Sequence, residues 1–178
     1  MMTIVYILLI LITVIAFLGF IAPKNYNVHR SIIVKTARED VFEFLKYLKN
    51  QDLWSPWNKK DPAMKKTYKG TDGTVGFISA WEGNKEVGAG EQEILMIVEG
   101  ELVASKLRFF RPWKSQSDAY LRVEEVTEGT KIIWGFAGKN KFPFSIFMLF
   151  MNMDKAVGRD FEEGLSNLKA ILENKPEH

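Results

Sequence analysis

The chain has 178 residues, enough for one domain with a sizeable core. Its formal net charge of +2 makes no case for a nucleic-acid partner. The absence of cysteine excludes disulfides, thiol catalysis and Cys-based zinc sites. Aromatic residues make up 13 %, which permits a core, or an apolar cavity, built from Phe and Trp.

Residues 2–22 (MTIVYILLILITVIAFLGFIA) carry no charge. As a helix this run would measure about 31 Å, the hydrocarbon thickness of a bilayer. The rival reading is a cleaved signal peptide. A basic n-region and an A-x-A cleavage pattern are both lacking, the run is longer than an h-region, and Pro23 follows at once. These features favour an uncleaved single-pass anchor. Lys24, Arg30, Lys35 and Arg38 follow the run, and the positive-inside tendency then leaves the domain in the cytoplasm, with an extracytoplasmic domain as the alternative.

The folded domain is expected over residues 26–173. Tyr26–Val34 is rich in β-branched and aromatic residues and reads as a first strand. Thr36 and Glu39 form a T-x-x-E capping box ahead of a helix bearing Val41, Phe42, Phe44, Leu45 and Leu48. A second short helical piece should carry Trp54–Ser55–Pro56–Trp57. That aromatic corner serves either as a lid packed on the sheet or in ligand contact. Six strands follow: 65–70, 74–82, 87–98, 101–110, 116–126 and 130–137, separated by turn signals such as Asp72–Gly73 and Glu128–Gly129. Alternation of Val75, Phe77 and Trp81, of Ala119, Leu121 and Val123, and of Ile132, Trp134 and Phe136 predicts an antiparallel sheet apolar on one face.

The last predicted element is one long helix over 144–173. Phe147, Met151, Asp154, Gly158, Phe161, Leu165, Leu168 and Leu172 step by four and three, forming a single stripe. At 1.5 Å per residue such a helix would run roughly 45 Å. Its first half, residues 142–153, is apolar all round. That reads either as burial on both sides or as an apolar mouth facing lipid.

The order strand, two short helices, six strands, long helix predicts an α+β fold. A seven-stranded antiparallel sheet curves around the C-terminal helix and leaves an apolar space between them. Trp54-x-Pro56-Trp57, Trp81–Glu82–Gly83–Asn84, Val87–Gly88-x-Gly90 and Trp134–Gly135–Phe136 support this order. So do Pro143–Phe144 and the run from Met153 to Lys169. With these motifs the chain resembles the START-like helix-grip superfamily (SRPBCC), in particular the polyketide cyclase/dehydrase and lipid-transport family, over residues 26–172. The resemblance implies a hydrophobic cavity under the long helix. It implies no single activity, because its members include lipid carriers, aromatase/cyclases and co-chaperones.

Catalytic constellations are not evident. His29 is the sole histidine inside the domain, on a strand without surrounding motif, and reads as structural or solvent-facing. One such histidine and no cysteine give no metal site, and no phosphate-binding glycine motif implies a cofactor. The strand carboxylates Glu82, Glu91, Glu93, Glu101, Asp118, Glu124 and Glu125 should mostly lie on the solvated face. Alternation and stripe point to Phe77, Trp81, Ile94, Met96, Leu107, Phe109, Trp134, Met151 and Phe161 as cavity residues. Asp154 is the charged member of the stripe: it either accepts bonds from a strand or loop and fixes the helix, or orients a ligand. The expected function is a membrane-tethered carrier or sensor of a hydrophobic or amphipathic, lipid-like small molecule, with a cyclase/dehydratase-like enzyme or a protein-interaction module as alternatives.

Overall fold

Within the domain, the apolar faces of the strands close over a single amphipathic helix. The computed structural model describes residues 2–150 and 152–174. Helix α1 (Met2–Ile21) precedes the domain; none of its residues is buried, and it is long and apolar enough to cross a membrane. Strands β1 (Asn25–Val34), β2 (Lys65–Lys69), β3 (Ile78–Glu82), β4 (Ala89–Val98), β5 (Leu102–Arg111), β6 (Ser115–Val126) and β7 (Gly129–Lys139) form one sheet. Their order is β1-β7-β6-β5-β4-β3-β2, antiparallel throughout. Between β1 and β2 come α2 (Arg38–Leu45), a 3₁₀ turn (Leu48–Asn50), α3 (Gln51–Trp54) and α4 (Trp57–Lys60). After β7 come α5 (Phe144–Phe147) and α6 (Met153–Glu173).

The stripe on α6 buries Phe161, Leu165, Leu168 and Leu172 against the sheet, alongside Val28, Val34, Ile132 and Leu121. Each fully buried leucine contributes about 1.5–3 kcal/mol relative to an exposed one. The α2 face closes the other side of this core with Val41, Phe42 and Leu45.

Four local expectations are corrected. The helix predicted over 144–173 is broken, because Asn152 takes an extended conformation and its side chain accepts from Lys155 N at 3.0 Å. Asn at this position followed by Asp154 in the first turn is a helix-start signal that outweighs the apolar run before it. The resulting α6 is about 31 Å long, and Phe147, expected on its stripe, is exposed on α5. The Thr36 capping box does not form: Ala37 is the N-cap of α2, while the Thr36 hydroxyl donates to Leu172 O at 3.4 Å. The strand predicted from Thr74 begins at Ile78, which leaves Val75 exposed; Gly76 and Phe77 still exchange backbone bonds with Ile94. Finally, Ser55–Pro56 splits the second helical piece in two, with Pro56 as the N-cap of α4.

Candidate functional site

Between the sheet, α6 and the short helices lies a cavity of about 150 Å³. Aromatic rings make up much of its apolar wall. Trp134 on β7 stacks on Phe161 of α6, with ring centres 4.2 Å apart. Trp54 and Trp57 meet Trp134 edge-on at 4.7 and 5.5 Å, and Trp81 meets Phe109 at 5.8 Å. Two glycines admit these rings. A Cβ on Gly164 would sit 2.7 Å from the Trp134 ring, and one on Gly90 would sit 2.7 Å from the Trp81 ring.

Polar groups enter the cavity from α3, α4 and β2–β4. Gln51, Asp52, Ser55 and Asn58 line it, with Lys66, Ser79 and Gln92. Lys66 pairs with Asp52, whose other oxygen accepts from the Tyr68 hydroxyl at 2.9 Å. Burial, then the hydrogen bond to Asp52 and its charge, pushes the Tyr68 phenol up to about 12. Gln92 donates to the Ser105 hydroxyl at 2.9 Å, and Asn58 donates to Asp52 O at 2.7 Å. The Gln51 amide nitrogen differs: it is buried and finds no hydrogen-bond partner among the described residues. A buried donor left unmade costs about 1–3 kcal/mol, so the cavity wall holds an unanswered demand for an acceptor.

Of the residues expected at the cavity, Trp81, Leu107, Phe109, Trp134 and Phe161 line it. Phe77 and Ile94 are buried in the core beside it without lining it. Met96 is placed elsewhere, 47 % exposed on the outer face of the sheet. The pairing with β5 shifts between Ile94 and Met96, and this bulge inverts the alternation, so that Ile97 rather than Met96 turns inward. Asp154 also lies away from the cavity, exposed on α6 and joined to Arg30 of β1. Met151 lies outside the described residues.

His29 is exposed, and Glu91 and Glu93 pair with Arg108 on the outer face at 2.8 and 2.5 Å. The sequence reading missed the polar lining. Gln92 was open to detection, because it shares the inward parity of Gly90 and Ile94. Asp52 and Lys66 were not, since only the folding of α3 onto β2 brings them together.

No protein-family model and no curated protein matches the sequence. Solved structures do match the fold. A protein from Rhizobium leguminosarum superposes with a TM-score of 0.62 at 14 % identity, over 85 % of this chain and 97 % of its own. The fold is a helix grip. The Aha1 dimer protein of Colwellia psychrerythraea shares the helix-grip fold at a TM-score of 0.52 and 19 % identity, over 85 % of this chain and 99 % of that one. The di-domain ARO/CYC protein StfQ of the steffimycin biosynthetic pathway matches at 0.61 and 10 % identity, over 84 % of this chain. The helix-grip chain spans about half of StfQ, 51 %. At these identities the likeness is one of fold.

Proposed function

We propose that this chain is a membrane-tethered binding protein. Residues 2–22 hold it in a bilayer, and the helix-grip domain, residues 26–173, lies on the cytoplasmic side. The domain takes up an apolar or amphipathic small molecule between the sheet and α6, as a carrier or sensor.

The observation that carries this reading is the cavity, apolar on most of its wall and holding one unpaired amide at Gln51. An apolar space of about 150 Å³ accommodates a molecule the size of benzene. The part of the ligand that enters is therefore about one ring or a short branched hydrocarbon, with an oxygen acceptor for Gln51. Binding fits the polar groups better than turnover does. Asp52, Lys66 and Tyr68 already satisfy one another, and no histidine among the described residues lines the space.

The test uses the full chain in detergent. Native mass spectrometry reads any co-purifying small molecule, and 2-naphthol serves as a probe with one hydroxyl, of which a single ring fills the cavity while the other stays at its mouth. Trp81→Ala is expected to weaken naphthol binding about tenfold, the equivalent of 1.4 kcal/mol of lost ring contact. Unchanged affinity in Trp81→Ala and Trp134→Phe alike rejects the cavity as the site. Cyclisation or dehydration of a supplied polyketide substrate favours an enzyme.

A further inference from the structure

The antiparallel register sets the start of β1, which follows α1, at the same end of the sheet as the ends of β3, β5 and β7. Asn25 at the start of β1 pairs with Lys139 at the end of β7. The connections β3–β4 (residues 83–88), β5–β6 (112–114) and β7–α5 (140–143) all leave the sheet at that end. Residues 22–24 alone separate α1 from β1, at most about 11 Å of extended chain. This link is pinned to the β7–α5 connection. The Asn140 side chain donates to Pro23 O at 3.0 Å, and Asn140 N donates to Lys24 O at 2.9 Å. Ala22 is buried, and a Cβ on Gly19 would sit 3.2 Å from the Phe142 ring. The same end of the domain therefore faces whatever surface α1 enters.

That end has a distinct composition. Phe110, Trp113, Phe142, Phe147 and Phe150 are exposed there, Trp113 at 68 % and Phe150 at 82 %. Among them stand the exposed Lys24, Lys85, Lys114, Lys139 and Lys141. Among its acids, Glu82 pairs with Arg111 at 3.0 Å, Asp61 accepts from Asn84 N at 2.7 Å, and Glu86 lies 4.0 Å from Lys60. The turns at the opposite end carry Glu99, Glu101 and Glu128 instead. Aromatic rings and lysines are the side chains that settle at a bilayer interface: the ring sits at headgroup level and the ammonium reaches a lipid phosphate. Basic segments next to a span are drawn to anionic lipid.

Resting on the reading of α1 as a bilayer span, we infer that this end of the helix-grip domain seats on an anionic membrane surface. Trp113, Phe142, Phe147 and Phe150 enter the interfacial layer, and Lys24, Lys85, Lys114, Lys139 and Lys141 contact lipid phosphates. The domain is then held in one orientation on the bilayer rather than swinging on a tether.

Full-length protein is reconstituted into vesicles of phosphatidylcholine alone or mixed with phosphatidylglycerol, with and without brominated acyl chains. Carbonate-resistant flotation reports α1 separately. The Trp113 signal is the difference between the fluorescence of wild type and of Trp113→Phe. Brominated lipid is expected to quench that difference in anionic vesicles, less so in neutral ones or at high salt. Lys114→Glu combined with Lys141→Glu is expected to reduce the quenching with an unchanged far-UV circular dichroism spectrum. A floated protein whose Trp113 signal is unquenched in every vesicle overturns the seating and leaves the anchor standing. Equal quenching in neutral and anionic vesicles overturns the lysine–phosphate contact. Loss of flotation after carbonate overturns both the anchor and the seating that rests on it.

Discussion

Arg30 of β1 and Asp154 of α6 meet in a two-armed ion pair, Nη1 to Oδ1 at 2.8 Å and Nη2 to Oδ2 at 2.9 Å. The Nε of the same guanidinium donates to Glu162 two turns further along the helix, at 2.6 Å. One strand residue thus straps two points of α6 to the edge strand of the sheet. Asp154 is exposed and serves as the strand-bound partner rather than as a group in the cavity.

Stability should carry the signature of that strap. Hydrogen bonding to Arg30 holds the Asp154 carboxyl below its usual value of 3.8, with slight burial opposing it and the Arg30 charge assisting. A lowered acid pKa contributes stability that is present above the unfolded value and is lost as pH falls through the folded one. Asp154→Asn is therefore expected to lower Tm at neutral pH, with a deficit against wild type that closes as pH drops below about 4. Naphthol binding should be unchanged. An unchanged Tm with lost binding would make Asp154 a ligand group after all.

Gly158 lies beneath the strap, and a Cβ there would come within 2.2 Å of Arg30 Nη2. Glycine inside a helix costs about 1 kcal/mol relative to alanine, so the position is kept open for the guanidinium. Gly158→Ala is expected to lower Tm in the wild-type background, where Arg30 is fixed by its acceptors. In an Arg30→Ala background the same substitution is expected to raise stability by about 1 kcal/mol, the bare propensity gain. Thermal denaturation of the four proteins in the cycle reads the sign reversal; a loss in both backgrounds refutes the explanation.

The fold was largely legible because the two periodicities that specify it are carried by many residues at once. The stripe Phe161, Leu165, Leu168 and Leu172 and the alternation on β6 and β7 survive folding intact. Single-residue events escaped. Asn152 restarts the helix through one side-chain bond, and one extra residue at Leu95 inverts the faces of β4. The consequence is measurable. Ile94→Ala is expected to cost about 2–5 kcal/mol in chemical denaturation, as for other filled core positions. Met96→Lys, on the outer face, should stay within about 0.5 kcal/mol. A large loss from Met96→Lys would place Met96 inside and remove the bulge.

The ion pair at the polar side of the cavity should be visible in alkaline titration. Tyr68 is raised to about 12, by burial first and by Asp52 second, from an ordinary value of 10.0. A phenol raised on folding contributes stability that is complete below the unfolded value and is lost as pH rises through the folded one. Ultraviolet titration is expected to show a phenolate step near pH 12 that is absent in Tyr68→Phe. Asp52→Asn should move the step part of the way back toward 10.0, because the contribution of burial remains. A Tyr68 step already at its ordinary value would mean that α3 does not close on β2 as described.

Gln51 separates a cavity that serves a ligand from one that is a packing defect. Its amide nitrogen is buried without a partner, so the empty protein carries a desolvation cost of about 1–3 kcal/mol that a ligand oxygen would relieve. Gln51→Leu puts a shorter branched hydrocarbon in place of the amide and removes the donor. It is expected to raise the Tm of the ligand-free protein while weakening 2-naphthol, whose hydroxyl can accept from the amide. Affinity for naphthalene, which has no oxygen, should be unchanged or improved. The contrast between the two probes is read by calorimetry on wild type and variant side by side. If Gln51→Leu weakens both probes equally, the amide shapes the wall and recognises nothing. If it weakens neither, the donor to the ligand oxygen must be sought at Lys66 or Gln92.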